Sequence, residues 1–139
     1  MIIPLLQLEL KNENIPLIFP PEGPIVITGF QLHHSQLFGG ASPTTIIGTE
    51  IDPQKSFEIS IFPMNPIGGE MAHAHGDITL STQAEGGELV GIIKWTLNPN
   101  DIQAEDVPKS WSIHTPEVPP EGPIGLSPLT VTFKAEVIL

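Results

Sequence analysis

Proline and glycine recur along the whole chain, and their frequency constrains the fold more than any other feature of the sequence. The 139 residues include 16 prolines and 13 glycines. Proline breaks a helix interior because it lacks the N–H donor and its ring clashes with the preceding turn. Since no long stretch escapes these breakers, the sequence predicts an all-β fold with at most one short helix.

Between the breakers, apolar residues alternate with polar ones, as in Leu6, Leu8 and Leu10. This alternation is typical of strands with one buried face. We expect about eight mostly antiparallel strands, forming a small closed barrel or a two-sheet sandwich in a single domain over residues 1–139. The predicted strand segments are 6–10, 25–32, 46–51, 57–61, 71–80, 89–97, 111–115 and 131–137.

Local signals also predict turns and the one short helix. Residues 52–55, Asp-Pro-Gln-Lys, and residues 85–87, Glu-Gly-Gly, each separate two predicted strands and favour hairpins. Asp101 is a suitable N-cap for one or two helical turns that would extend to Val107, before Pro108 ends them.

The charge of the chain excludes several classes of partner. The five cationic residues are all lysines, scattered in sequence, against 16 acidic residues, and the formal net charge is −11. Without arginine or clustered lysine, binding to nucleic acid or to an anionic membrane is not expected. Neutral or apolar small molecules, cations and metal ions would meet no such repulsion.

Two further absences bear on chemistry and location. The chain has no cysteine, which removes disulfides, thiolate zinc sites and thiol catalysis. We see neither a signal-peptide pattern nor an apolar run long enough to span a bilayer, and we therefore expect a cytoplasmic protein.

One segment shows a resemblance to a known family. Within residues 37–100, an Ile-Gly-Thr stands before a turn, a Phe-Glu-Ile-Ser strand follows, and Asp-Ile-Thr-Leu-Ser precedes a glycine-rich turn. In these features the segment resembles small barrels of the allene-oxide-cyclase type, which include cyclases that act on a ligand inside the barrel. The resemblance implies a closed barrel around a mostly apolar cavity.

The constellation with most potential for ligand binding is His73, His75 and Asp77. Alternate side chains of a strand point to the same face, so these three would lie side by side. Two imidazoles and a carboxylate, joined by a third imidazole from another strand, would suit zinc, iron or manganese. A bulge at Gly76 is the alternative, and it would turn Asp77 away from the histidines.

The remaining histidines are assigned by the same alternation. His33 and His34 are adjacent, so in a strand they face opposite sides. His34 shares the predicted core side and is a candidate ligand-binding residue with His73 and His75. His33 and His114 are interpreted as hydrogen-bonded structural residues.

Three classes of function remain. The first is the binding of a small neutral or apolar molecule in a barrel or sandwich cavity, including cyclase-type enzymes that act through cavity shape. The second is a metal-binding protein or metalloenzyme centred on the His-x-His pair. The third is a structural or homo-oligomeric interaction module that uses exposed strand edges. The repeated Pro-Pro-Glu-Gly-Pro-Ile at 20–25 and 119–124 is interpreted as a pair of rigid strand connectors, with no function assigned.

Overall fold

The protein is a two-layer β structure. The computed structural model describes residues 6–14, 24–37, 42–63, 74–83, 86–96, 101–117 and 129–136. Within these ranges there are ten strands: β1 Leu6–Asn12, β2 Ile25–His33, β3 Ser35–Leu37, β4 Glu50–Ile51, β5 Ser56–Pro63, β6 His75–Ser81, β7 Leu89–Thr96, β8 Asp101–Glu105, β9 Trp111–His114 and β10 Leu129–Ala135.

The ten strands form two five-stranded sheets. Sheet A has the order β3-β5-β1-β10-β9, and sheet B has the order β4-β2-β6-β7-β8. The all-β prediction is confirmed, in its sandwich form. The closed barrel, which the family resemblance also implied, is wrong, because the described edge strands β3, β4, β8 and β9 have only two to five residues and do not join the sheets edge to edge.

The alternation predicted from the sequence sorts side chains between the core and the surface. Leu6, Leu8 and Leu10 of β1 are fully buried, whereas the residues between them are half-buried on the outer face. The inward-facing side chains of both sheets meet in one hydrophobic core, in which Trp95 and Phe133 are the largest fully buried residues. The sequence pattern therefore identifies the buried face of β1, whereas in β2 a register shift between Ile27 and Gly29 interrupts the alternation and brings Ile25, Ile27 and Phe30 into the same core.

The centre of sheet A departs from antiparallel pairing. β1 runs antiparallel to β5 but parallel to β10, with Leu8 opposite Leu129 and Asn12 opposite Phe133. A parallel pair cannot be joined by a tight turn. The pairing of β1 with β10 therefore depends on residues far apart in the chain.

The short helix predicted from Asp101 to Val107 is wrong, because residues 101–105 form strand β8. Ile102 points into the core, and its strand pairs with β7 along five successive residues. This ladder and the burial of Ile102 outweigh the local capping preference of Asp101.

A short 3-10 turn occurs instead at Pro43–Thr45, where Ser42 caps the first residues. As a result, only Glu50 and Ile51 of the predicted strand 46–51 are extended. Among the described residues, no helix has the length and apolar character needed to cross a bilayer.

The two predicted hairpins have different outcomes. The connection containing Gly86, at φ +70°, joins the paired strands β6 and β7 and is a hairpin as predicted. Residues 52–55 form a turn closed by a hydrogen bond from Lys55 N to Asp52 O, but they carry the chain from sheet B to sheet A and are not a hairpin.

Three connections within the described part cross directly between the sheets, and each contains one non-glycine residue in the left-handed region. These residues are His34 between β2 and β3 at φ +53°, Gln54 between β4 and β5 at +68°, and Asp106 between β8 and β9 at +54°. Left-handed backbone is uncommon outside glycine, and it supplies the change of direction at each crossing.

Candidate functional site

Two of the sheet crossings lie at opposite ends of the sandwich and define its polar regions. We call the end built by Asn12, Asn14 and Gln54 the asparagine end. The end built by His33, His75 and Ser35 is the histidine end. In the described part of the chain, the buried polar residues are Asn12, Asn14 and Ser35, so all of them belong to these two ends.

The asparagine end is an internal network of hydrogen bonds. The side chain of Asn12 donates to Ile51 O on the other sheet at 2.9 Å and accepts from Asn14 N at 2.9 Å. Asn14 Oδ1 accepts from Ala135 N at 2.7 Å. Gln54 Nε2 donates to the carbonyls of Glu13 and Asn14. These contacts link three strands and one crossing, and they direct most of the polar side-chain atoms inward.

The histidine end presents aromatic rings outward. His33 at the end of β2 lies directly opposite His75 at the start of β6, and their imidazoles stack with ring centroids 4.6 Å apart and planes 15° from parallel. Ser35 Oγ, from sheet A, lies 3.2 Å from His33 O and 3.3 Å from His75 O and donates to these carbonyls. One buried hydroxyl thus holds together the two strand ends that carry the imidazoles.

The second row of this outward face is formed by Asp77 and its neighbours. β6 keeps a regular register from His75 to Asp77, which lies opposite Gln31 on β2 and Lys94 on β7. The bulge considered at Gly76 is absent, and His75 and Asp77 share one face as predicted. The imidazole pair is therefore flanked by an amide, a carboxylate and an ammonium group.

Lys94 lies beside this face and forms an ion pair that biases its protonation. Its Nζ lies 2.8 Å from Glu105 Oε2 on the edge strand β8. The hydrogen bond and the charge of Glu105, with a smaller contribution from Asp77, raise the pKa of Lys94. Both partners are about half exposed, so this pair orients the lysine toward β8 more than it stabilises the fold.

Behind the imidazoles, on the inner side of sheet B, lies Trp95. It is opposite Gly76 on β6, and a Cβ at position 76 would overlap the indole ring and the carbonyl of Gln31. Trp95 is 1% exposed, and its Nε1 has no hydrogen-bond partner. The glycine thus makes room for a buried ring whose polar atom is unsatisfied.

The predicted site residues are only partly brought together. His73 lies outside the described residues. His75 and Asp77 share the outward face of sheet B. His34 is exposed at the crossing, so its predicted position on the core side is wrong; the left-handed backbone there ends the alternation of β2. His114 is exposed on β9, in the other sheet.

His33 is the residue that sequence analysis missed. It was assigned a structural role, yet it is the imidazole from another strand that approaches His75. Only the pairing register of β2 with β6 reveals this, and the register is not apparent from either segment alone.

The stacked pair does not by itself make a metal site. Imidazole nitrogens bind a metal along lone pairs that lie in the ring plane, and zinc requires these to converge at about 2.0–2.1 Å. In nearly parallel rings the lone pairs do not converge. No group of three or more histidine and acidic side chains with metal-binding geometry occurs among the described residues. Since His73 is not among them, the zinc, iron or manganese site stays a prediction.

Comparisons with known proteins identify the architecture. No protein family model matches the chain, and no curated protein does so either. The structure is similar to that of IP-1A from Alcaligenes faecalis, with a TM-score of 0.68 and 16% identity over 98% of this chain and 94% of that one. It is also similar to the RahU protein, solved in complex with a TRIS molecule, with a TM-score of 0.75 and 11% identity over the full length of both chains. At these identities the likeness shows a shared small β fold.

Proposed function

We propose that the protein binds a small neutral, polar molecule on the outward face of sheet B at the histidine end. The observation that carries this proposal is the stacked pair of His33 and His75, positioned by the buried hydroxyl of Ser35. A surface arrangement maintained from within the core offers a ligand groups that are already in place, which lowers the entropic cost of binding.

The groups around the imidazoles suit a hydroxylated ligand. Next to the imidazoles on the same outward face lie the amide of Gln31 and the carboxylate of Asp77. Thr96 lies opposite His75 on the next strand. Amide, carboxylate, hydroxyl and imidazole groups together provide both donors and acceptors. The flat imidazole surface adds apolar contact for the carbon skeleton of such a molecule.

Charge and fold similarity support the same class of ligand. The net charge of −11 opposes anions but not neutral molecules. RahU, which shares the fold, was solved in complex with a TRIS molecule, a small compound with three hydroxyl groups and one amine. We place the ligand outside the sandwich because the inner faces of the described strands pack against one another.

Cyclase-type chemistry and assembly through strand edges have less support. Chemistry of the cyclase type needs a substrate enclosed in a cavity, and the proposed surface is open. Assembly through strand edges needs long, unprotected edges, whereas β4 has two residues and β8 carries Asp101 and Glu105.

An NMR titration with pentaerythritol, a neutral tetra-alcohol, would test the proposal. We expect saturable shifts of the His33 and His75 imidazole signals, with a roughly millimolar dissociation constant for a ligand this small. His75→Ala should abolish the shifts at His33. His114→Ala is the matched control, because it removes an exposed imidazole from the other sheet and should leave binding unchanged.

Two results would contradict the proposal. One is the absence of any saturable shift at either imidazole while the protein remains folded. The other is equal loss of binding in His75→Ala and His114→Ala, which would indicate a nonspecific effect of removing a histidine.

A further inference from the structure

We infer that the outward face of sheet B contains a subsite for an ammonium group, in which the carboxylate of Asp77 is the counter-ion. The inference rests on the proposed function and extends its ligand class from neutral alcohols to protonated amino alcohols. Asp77 follows His75 by two residues on the same face of β6, so the carboxylate lies beside the imidazole pair.

The fold does not use the Asp77 carboxylate. Among the residues that the structure describes, no hydrogen bond or ion pair involves its side chain. The residues directly opposite it are Gln31 on β2 and Lys94 on β7. Because an ionised carboxylate can accept several hydrogen bonds, Asp77 keeps this capacity for a ligand.

Lys94 does not neutralise Asp77 by direct contact, because the neighbouring strand holds its ammonium group. Lys94 Nζ lies 2.8 Å from Glu105 Oε2 on β8, and Asp77 makes only a smaller contribution to the raised pKa of Lys94. The lysine opposite Asp77 is therefore directed toward the far side of β7. An ammonium group from a ligand can take the place beside Asp77 that Lys94 does not occupy.

The charges of the outward face favour a cation over an anion. The described strands of sheet B contribute one ammonium group to this face, from Lys94, and the carboxylates of Glu50, Asp77, Asp101 and Glu105. An excess of negative charge repels anions and raises the local concentration of cations. The face is thus electrostatically complementary to a protonated amine.

Asp77 differs from the other carboxylates of this face. It is half-buried, whereas Glu50, Asp101 and Glu105 are exposed. Asp101 already accepts a hydrogen bond from Gln103 Nε2 at 2.9 Å, and Glu105 forms the ion pair described above. Opposite charges attract more strongly where water is partly excluded. Asp77 is therefore the carboxylate best suited to bind an ammonium group.

The spacing of the groups defines the ligand class. Alternate residues of a strand have Cα atoms about 6.6 Å apart, so Asp77 and His75 can contact opposite ends of one small molecule. An ammonium group at one end would pair with Asp77, and a hydroxyl group at the other would bond within the imidazole pair. A short carbon skeleton joins the two ends, which makes the ligand a small amino alcohol.

The test compares trans-4-aminocyclohexanol with trans-1,4-cyclohexanediol, which share a carbon ring and differ in one substituent, ammonium or hydroxyl. Near neutral pH the amine is protonated, because an alkylammonium group resembles that of lysine, whose ordinary pKa is about 10.4. In NMR titrations that follow the imidazole signals, we expect the amino alcohol to bind about two- to fivefold more tightly than the diol.

Two variants separate the subsite from the overall charge of the protein. Asp77→Asn keeps the shape of the side chain but removes its charge, and it should make the two dissociation constants equal. Glu58→Gln is the matched control, because it makes the same change in net charge on the outward face of sheet A, where Glu58 lies opposite Glu9. This control should keep the preference for the amino alcohol.

Each outcome decides one of the two proposals. Equal binding of both ligands to the parent protein would overturn the subsite and leave the proposed function standing. A preference that survives Asp77→Asn, or is lost equally in Glu58→Gln, would also overturn it, because the preference would then come from the net charge. Binding of the amino alcohol alone would contradict the proposed function but support the subsite. If neither ligand moves the imidazole signals, both proposals are wrong.

Discussion

The two ends of the sandwich connect the same two sheets through buried polar side chains, but they use these side chains differently. At the asparagine end, Asn12 of sheet A donates to a carbonyl of sheet B and also accepts from its own strand's extension. At the histidine end, Ser35 of sheet A donates to carbonyls of sheet B, and the side chains at those positions are stacked imidazoles that face outward. The first end directs its polar groups into the fold, and the second presents imidazoles at the surface, where we propose that a ligand binds.

The largest effect should come from removing the inward network. Asn12→Ala removes the hydrogen bond to the carbonyl of Ile51 on the other sheet and the side-chain acceptor of the Asn14 N–H, both in a buried setting. At about 2 kcal/mol for each, we expect a loss of about 4 kcal/mol in the free energy of unfolding, measured by urea denaturation. Gln103→Ala removes an exposed amide and should cost less than about 0.5 kcal/mol. Equal losses in the free energy of unfolding for the two variants would show that the buried hydrogen bonds of Asn12 contribute no more to stability than the exposed amide of Gln103.

The next effect tests the packing behind the imidazoles. Gly76→Ala would place a methyl group against the Trp95 ring and the Gln31 carbonyl. We expect a destabilisation of about 3 kcal/mol and a change in Trp95 fluorescence. At Gly29 an added Cβ meets Oγ1 and Cβ of Thr79 at 3.0 and 3.1 Å, an overlap that a shift of a few tenths of an ångström relieves, so Gly29→Ala should cost less. The reverse order would mean that the indole is not confined by position 76.

Ser35→Ala should have a smaller effect than Asn12→Ala, because it removes one hydroxyl shared between two carbonyls. We expect a loss of about 1 kcal/mol by urea denaturation and weaker pentaerythritol binding. Ser60→Ala, on the outer face of β5, is the control. Unchanged pentaerythritol binding in Ser35→Ala would show that the imidazole pair binds the ligand without help from the Ser35 hydroxyl.

The Lys94–Glu105 pair should give a small effect that depends on pH. Because Glu105 raises the pKa of Lys94, the stabilisation is present below the usual value of 10.5 and disappears as the pH rises through the higher value in the folded state. The Glu105→Gln variant should therefore have a slightly lower melting temperature than the parent protein near neutral pH. At strongly alkaline pH the two melting temperatures should be equal. A difference in melting temperature that persists at strongly alkaline pH would show that the effect does not come from the Lys94–Glu105 pair.

The stacked pair alone predicts no change in melting temperature on adding zinc, iron or manganese, because its lone pairs do not converge, whereas a metal site completed by His73 predicts a rise. A ligand that binds the native state raises apparent stability, so thermal melts with and without each ion check this directly. A rise that is lost in His75→Ala would restore the metal hypothesis and indicate that His73 completes the site.

The predictable part of the structure was the part that depends on local alternation. β1, β5 and β7 were located from residues such as Leu6 and Leu8, whose spacing alone specifies a buried face. The three-residue strand β3 is too short to show such a pattern. The capping signal at Asp101 predicted helix where pairing with β7 imposes strand.

The site was less predictable, because it depends on register between distant segments. His75 and Asp77 were placed on one face from their spacing alone, which the structure bears out. Neither the stacking partner of His75, which is His33, nor its support by Ser35 was found. Ser35 and His75 are 40 residues apart, and nothing within either segment shows that they meet. The sheet crossing at 52–55 was read as a hairpin for the same reason, because a turn sequence does not specify which sheet the next strand joins.

The parallel pairing of β1 with β10 has a consequence for how the protein is made. The strands of sheet B are complete once residue 105 has been synthesised, whereas β1 lacks its central neighbour until residues 129–135 have left the ribosome. The hydrogen bond from Thr130 to Glu9 spans 121 residues and illustrates this separation. Until then one edge of β1 has unpaired backbone groups beside the apolar side chains of Leu8 and Leu10. The nascent chain must therefore keep β1 from pairing with other molecules until the residues of β10 have been synthesised.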